Sequence, residues 1–199
     1  MIGIIDYGAG NLSSVQKAFS QIGAQTLVLE SLSGLERCRC LVLPGVGAFG
    51  PAMRGLMDME FVWPLKEWIA SGKPFLGICL GMQVLFSGSE ESQGTAGLGL
   101  FSGTCRKFTA GKVPQIGWNR VSAGEGSGLL KGMNREYFYF LHSYFVDCCE
   151  DSVSVGTAEY GLTYTCAVER GSVAAVQFHP EKSGEAGLRL LKNWVELGI

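Results

Sequence analysis

Histidine is scarce in this chain, which has two, at positions 142 and 179, among 199 residues. Any proton transfer near neutral pH that needs an imidazole must therefore use one of them. Clustered basic residues are missing too. The formal net charge is −2, and no run of Lys and Arg supplies the phosphate contacts that nucleic acid requires, so DNA and RNA are not expected partners. No apolar stretch reaches the ~20 residues of a membrane-spanning helix, so no membrane is expected as a partner. No charged leader or cleavage site precedes the apolar Ile2 to Ile5, so targeting signals are expected to be absent and the protein cytoplasmic. Paired Cys-x-x-Cys spacing is also absent. Cys38 and Cys40, and Cys148 beside Cys149, lack the spacing of zinc sites, and two histidines offer few alternative ligands, so neither a metal nor a cofactor is expected. Seven cysteines in a chain with no secretory leader read as reduced thiols, most of them small core residues.

What is present is an ordinary globular composition, 47% hydrophobic and 17% charged, which argues against disorder. The length fits one domain, residues 1–199, able to bury a core without cross-links. Ile2 to Ile5 reads as a buried strand running into the glycine-rich turn Asp6 to Asn11, a weak signal by itself. Val15, Ala18, Phe19 and Ile22 then fall on one helical face, Gly23 ends that helix, and Gln25 to Leu29 and Leu41 to Leu43 supply two more strands. Strand, helix, strand in this order implies a parallel α/β sheet, whose ligands bind at the carboxyl ends of the strands. Pro44-Gly45-Val46-Gly47 stands at one such end, either as an ordinary turn or as backbone that could hold an oxyanion.

A helix is expected from Phe61 or Val62, with Pro64 in its first turn, and Ser87 to Gly97 reads as a polar surface loop and the mobile segment of the chain. Beyond Gly99 the pattern changes to short strands, Leu100 to Phe108, Val113 to Ile116, Trp118 to Val121, Tyr137 to Leu141, Val153 to Ala158, Thr163 to Val168 and Val173 to Gln177, which implies a mixed sheet with antiparallel excursions. A final helix is expected from about Ser183, with Ser183 as its N-cap.

The chemistry concentrates at Gly77-Ile78-Cys79-Leu80-Gly81-Met82-Gln83. An apolar run leads to a cysteine with glycine two residues away on either side, and a helix-like stretch, Leu80 to Phe86, follows at once. This is the pattern of a nucleophile elbow, in which a tight strand-to-helix turn lifts one side chain above the sheet edge. Backbone N–H groups at the helix start favour negative charge there, which suits a reactive thiol. Of the two histidines, His179 follows the strand Ala174 to Phe178 and precedes Pro180-Glu181, so a parallel strand would deliver it to the edge that holds Cys79. Glu181 is placed to accept a hydrogen bond from the far ring nitrogen and hold the tautomer, completing a Cys-His-Glu relay. His142, among aromatic neighbours, is expected to be structural or interfacial.

The combination of Gly77 to Gln83 with Phe178-His179-Pro180-Glu181 resembles the class I, triad-type glutamine amidotransferase family over the whole chain. Three further stretches, Asp6 to Leu12, Pro44 to Phe49 and Pro114 to Asn119, together with Tyr139 to Tyr144, resemble the glutaminase subunits of imidazole glycerol phosphate synthases within that family. The resemblance implies an open, mixed, mostly parallel sheet flanked by helices, of flavodoxin-like type. It also implies that Cys79 attacks the side-chain amide of glutamine, that His179 passes the proton to departing ammonia, and that Glu181 orients His179. The backbone N–H groups of Leu80 and Val46 would hold the oxyanion, the latter only when its peptide faces inward. Gly47, Gln83, Ser143 and Tyr144 match positions that line the glutamine pocket, and Asn11, Trp118, Tyr139 and Lys182 match positions facing a cyclase subunit, the expected heterodimeric partner. In such enzymes the glutaminase is nearly silent until the partner and its ligand are bound. Two other readings stay open: a glutaminase for another synthase, of pyridoxal phosphate or anthranilate, and a non-catalytic interaction module in which Cys79 is a packed or redox-sensing thiol. Trp118 and Tyr139 could equally be large core residues.

Overall fold

The computed structural model describes residues 1–198. Strand β1 (Ile2–Ile5) is followed by α1 (Leu12–Gln21), β2 (Thr26–Leu29), β3 (Cys40–Gly45), α2 (Phe49–Asp58), α3 (Val62–Ala70) and β4 (Phe75–Cys79). A four-residue helix, α4 (Leu80–Gln83), leads to β5 (Gly103–Lys107), β6 (Gln115–Ala123), β7 (Glu136–His142), β8 (Tyr144–Cys148), β9 (Ser154–Glu159), β10 (Thr163–Arg170), β11 (Val173–Val176) and α5 (Gly184–Gly198). The sheet runs β2-β1-β3-β4-β11-β10-β9-β6-β7, with β8 on β10 and β5 on β8. Its first five strands are parallel in the doubly wound order, and from β11 onward the pairs are antiparallel. The expected open mixed sheet is therefore present, but it is not mostly parallel: five strands form the parallel section and the remaining six pair antiparallel.

Strands covered on both faces read as continuous apolar runs, and their alternate residues feed two cores. Ile4, Val42, Leu76 and Ile78 pack with Val15 and Phe19 of α1 and Leu190, Leu191 and Trp194 of α5. Trp194 meets Phe19 edge-on at 5.9 Å between ring centroids. Ile5, Leu41, Leu43 and Phe75 pack on the other face with Phe49, Met53 and Leu56 of α2 and Leu65 and Trp68 of α3. No described helix is long and apolar enough to cross a membrane.

Several expectations need correction. Helix α2 is absent from the sequence reading although Phe49, Ala52, Met53 and Leu56 repeat at helical spacing; Gly47, Gly50 and Pro51 disguise it as loop, while Pro51 is tolerated because it falls in the first turn. The two short strands expected around Gly117 are one strand, β6, and β8 was not anticipated. The strand expected from Leu100 begins only at Gly103. The helix after the elbow is regular only to Gln83. The 87–97 loop, expected to be mobile, is tied down: Glu91 accepts the Phe49 N–H at 2.7 Å, Ser92 accepts the Gly50 N–H at 2.9 Å, and Glu90 accepts the Lys107 N–H at 3.0 Å. The first two of these contacts satisfy free N–H groups at the start of α2, which Ala48 cannot cap with its own side chain, and the third ties the loop to the end of β5. Ser183 precedes α5, but its hydroxyl does not cap that helix. It donates to the His179 carbonyl at 2.6 Å and accepts the Tyr139 N–H at 3.0 Å.

Candidate active site

Parallel strands β3, β4 and β11 end at one edge of the sheet, so the chain segments that leave them meet there. Cys79 is the last residue of β4 and adopts φ 55° and ψ −109°, in a region where a side chain is strained. The strain follows from a reversal that allows no side chain on either flank. A Cβ on Gly77 would sit 2.7 Å from the Gly81 carbonyl oxygen, and one on Gly81 would sit 1.8 Å from the Leu43 carbonyl oxygen. The two glycines thus let helix α4 press onto β3 and β4, and the elbow read from the sequence is present.

His179 lies just beyond β11, and its backbone N–H donates to the Tyr139 carbonyl of β7 at 2.9 Å. Its Nδ1 lies 2.8 Å from Glu181 Oε1, and both side chains are buried. Nδ1–H therefore donates to the carboxylate, and Nε2 is the nitrogen left to take up or release a proton. Nε2 has no hydrogen-bond partner among the described residues. Burial alone would lower the His179 pKa, but the adjacent Cys79 sulfur and the Glu181 carboxylate outweigh it and raise the value to about 10. The Cys79 thiol instead donates to the Leu141 carbonyl, 3.9 Å away. Sequence-distant residues 79, 179 and 181 are thus brought together without a closed Cys–His hydrogen bond.

Cys79 opens into a cavity of about 230 Å³ lined by Val46, Gly47, Leu80, Gln83, Pro114 and the 141–144 segment, together with Glu91. Larger surface grooves of about 710 and 470 Å³ lie elsewhere and contain no reactive thiol beside an imidazole. Val46 is 39% exposed, and Gly47 has φ 105°, a conformation that makes reorientation of the neighbouring peptide cheap. Gln83 is buried and donates to the Tyr144 carbonyl at 2.9 Å and to Gln177 at 3.0 Å. Tyr7 presses its buried hydroxyl, which has no hydrogen-bond partner among the described residues, against Gly45. Burial, with the charge of Cys79 a lesser contributor, keeps that phenol protonated.

His142 does not line up with the triad. Its Nδ1 lies 2.8 Å from the Tyr144 carbonyl, its Nε2 is 3.3 Å from the Tyr164 hydroxyl, and aromatic rings surround it. Burial lowers its pKa to about 4, so it is a neutral, structural imidazole near neutral pH. Trp118 is 58% exposed and meets Tyr139 edge-on at 6.2 Å, while Lys182 lies 5.8 Å from the Tyr139 ring centroid. Neither aromatic is a fully buried core residue. Asn11 is exposed, and its side chain caps α1 by accepting the Ser14 N–H. Sequence reasoning missed Glu91, hidden in a polar loop, and Gln177, hidden at the end of an apolar strand.

The sequence model for Glutamine amidotransferase class-I matches residues 3–197. The chain belongs to that family. Among curated relatives of this amidotransferase, the Imidazole glycerol phosphate synthase subunit HisH of Methanothermobacter thermautotrophicus is 52% identical over 99% of this chain and 98% of its own. The subunit of the same name from Desulfitobacterium hafniense is 48% identical over 98% and 93%. Among solved structures, one described as a crystal structure of glutamine amidotransferase superposes with a TM-score of 0.80 at 18% identity, covering 99% of this chain and 98% of that one. PurLQS from Thermotoga maritima superposes at 0.78 and 16% identity, covering 98% and 97%. These structural likenesses establish the amidotransferase fold. The curated relatives carry the resemblance into the synthase branch.

Proposed function

We infer that this protein is the glutaminase subunit of an imidazole glycerol phosphate synthase, hydrolysing glutamine and supplying ammonia to a cyclase subunit in histidine biosynthesis. Residues 1–199 act as one amidotransferase domain, in the cytoplasm. The observation that carries the reading is Cys79, strained at the elbow and facing a cavity, beside an imidazole whose far nitrogen is held by a buried carboxylate.

Cys79 gives its thiol proton to His179 Nε2 and the sulfur attacks the side-chain amide carbon of glutamine, whose carbonyl oxygen becomes an oxyanion received by the Leu80 N–H and, when its peptide faces inward, the Val46 N–H. His179, protonated by that transfer and paired with the Glu181 carboxylate, gives the same proton to the departing nitrogen, which leaves as ammonia. Water then attacks the glutamyl thioester with His179 as base, and glutamate leaves Cys79 as the thiol. Gly47, Ser143 and Tyr144 contact the substrate together with Gln83. Glu91 is a carboxylate in the same cavity and suits the α-ammonium group of glutamine.

The cyclase docks on the outer face of β6 and β7. Ile116 and Trp118 project there from alternate positions, each 58% exposed, beside Tyr139 and Lys182, with Asn11 at the start of α1. Exposed aromatics at such density suit an interface anchor. Tyr139 reaches the base directly, because its carbonyl holds the His179 N–H. Glutamate release measured with the chain alone, and then with the cyclase and its nucleotide ligand, tests this function. Strong ligand-dependent stimulation is expected. Equal release in both conditions contradicts the coupling, and stimulation by a different synthase reassigns the partner.

A further inference from the structure

We propose that Gln177 donates a hydrogen bond to the Cys79 sulfur, holding the nucleophile in place and stabilising its negative charge, and that Gln83 serves in part to aim it. The inference rests on Cys79 being the nucleophile. Gln177 is fully buried, between Val176 and Phe178, where an apolar side chain would cost nothing in desolvation. A buried primary amide persists where it has partners, and Gln177 has two, with Nε2 3.7 Å from Cys79 Sγ and Oε1 3.0 Å from Gln83 Nε2.

Which end of an amide faces which partner is ordinarily ambiguous, but here a backbone group decides it. The Tyr144 carbonyl only accepts, so the group of Gln83 that lies 2.9 Å from it must be the NH2. The second hydrogen of that NH2 points at Gln177, which must present its oxygen. The Gln177 NH2 is thereby turned to the sulfur. The sulfur also meets the Leu141 carbonyl, which can accept from a thiol and offers nothing to a thiolate. The two contacts therefore pull in opposite directions, Leu141 favouring the neutral sulfur and Gln177 the charged one. Gln177 touches the reacting atom without lining the cavity, so its contribution falls on the reactivity of Cys79 rather than on glutamine affinity.

Two variants separate this role from simple packing. Gln177→Met keeps length and removes the donor, while Gln177→Glu keeps the oxygen that Gln83 needs and sets an acceptor against the sulfur. Alkylation by iodoacetamide is followed against pH on the Cys79 peptide by mass spectrometry, so that the accessible Cys149 does not contribute. Near neutral pH the alkylation rate of Cys79 is expected to fall about tenfold in Gln177→Met and further in Gln177→Glu, with the alkylation curve displaced to higher pH. In the complex with the cyclase, kcat for glutamate release falls by a similar factor while KM stays within about twofold. Folded variants whose alkylation curves overlay that of the unaltered protein overturn the proposal. In the unaltered chain, alkylation of Cys79 should also move the side-chain amide NMR signal of Gln177, a readout that requires no folded variant, and an unmoved signal equally overturns it. Failure of Cys79 to alkylate faster than Cys149 in the unaltered protein would instead count against Cys79 as nucleophile.

Discussion

The two histidines are buried to nearly the same depth, His179 at 2% exposure and His142 at 6%, yet their surroundings drive their protonation in opposite directions. Around His142 are a backbone carbonyl, a tyrosine hydroxyl and the rings of Phe108 and Phe140, so desolvation prevails and the ring stays neutral. Around His179 are a buried carboxylate and a thiol, and together they overcome a comparable desolvation. Burial alone does not decide whether an imidazole is charged; a partner able to carry negative charge does. The fold thus keeps one acid and one inert imidazole within a single buried layer.

The largest effect should come from removing the charged side of this contrast. His179→Asn and Cys79→Ala are each expected to lower glutamate release by about 10⁴-fold or more while the chain stays folded, because the triad acts as a unit. Turnover assays paired with circular dichroism check this, and activity retained in either variant breaks the assignment. The second test is pH-dependent stability. An imidazole in the unfolded chain titrates near 6.5 and His142 in the fold near about 4, so between those values the unfolded chain binds more protons. The stability that His142 contributes is therefore present above about pH 6.5 and lost as pH falls toward about 4, on the order of 3 kcal/mol in all. His179 has the opposite sign: its contribution is present below about 6.5 and lost as pH rises through about 10. Urea unfolding of His142→Asn should lose about one proton of acid-limb slope whatever its absolute stability, and an unchanged slope would remove the contrast.

Glu91 sharpens the comparison, because it is a second carboxylate near the thiol but hydrogen-bonds to the start of α2 rather than to an imidazole. Glu91→Gln should raise KM for glutamine about tenfold with a much smaller change in kcat, consistent with a charge that holds substrate. A fall in kcat at unchanged KM would place Glu91 with the triad instead. The smallest effect on the chain itself is expected from Trp118→Ala, which lies outside both histidine environments. Its unfolding free energy should move by less than about 0.5 kcal/mol, while affinity for the cyclase, measured calorimetrically, drops about tenfold or more. Gross destabilisation would return Trp118 to the core.

The legible parts of this site are those whose geometry is written locally. Gly77 and Gly81 are both required by one turn, and His179 and Glu181 stand two residues apart, so spacing alone brings each set together. Gln177 and Glu91 act across 94 and 42 residues of chain, respectively, and no local pattern marks them. Gln177 looks like the end of an apolar strand, and Glu91 like solvated loop. The same reason explains the fold. The alternating strands and helices of the first half announce a parallel sheet, whereas α2 was concealed by the turn-forming residues of its own first turn. The pairing of β6 with both β7 and β9 depends on contacts that periodicity does not encode.

The central claim is that Cys79 carries the glutamyl group between attack and hydrolysis, and it can be observed directly. The complex with the cyclase and its nucleotide ligand, turning over isotopically labelled glutamine, is quenched in acid and digested, and the Cys79 peptide is weighed. The account predicts a labelled glutamyl adduct on Cys79, absent from Cys79→Ala. Glutamate released without that adduct, or with the label on another residue, would contradict it.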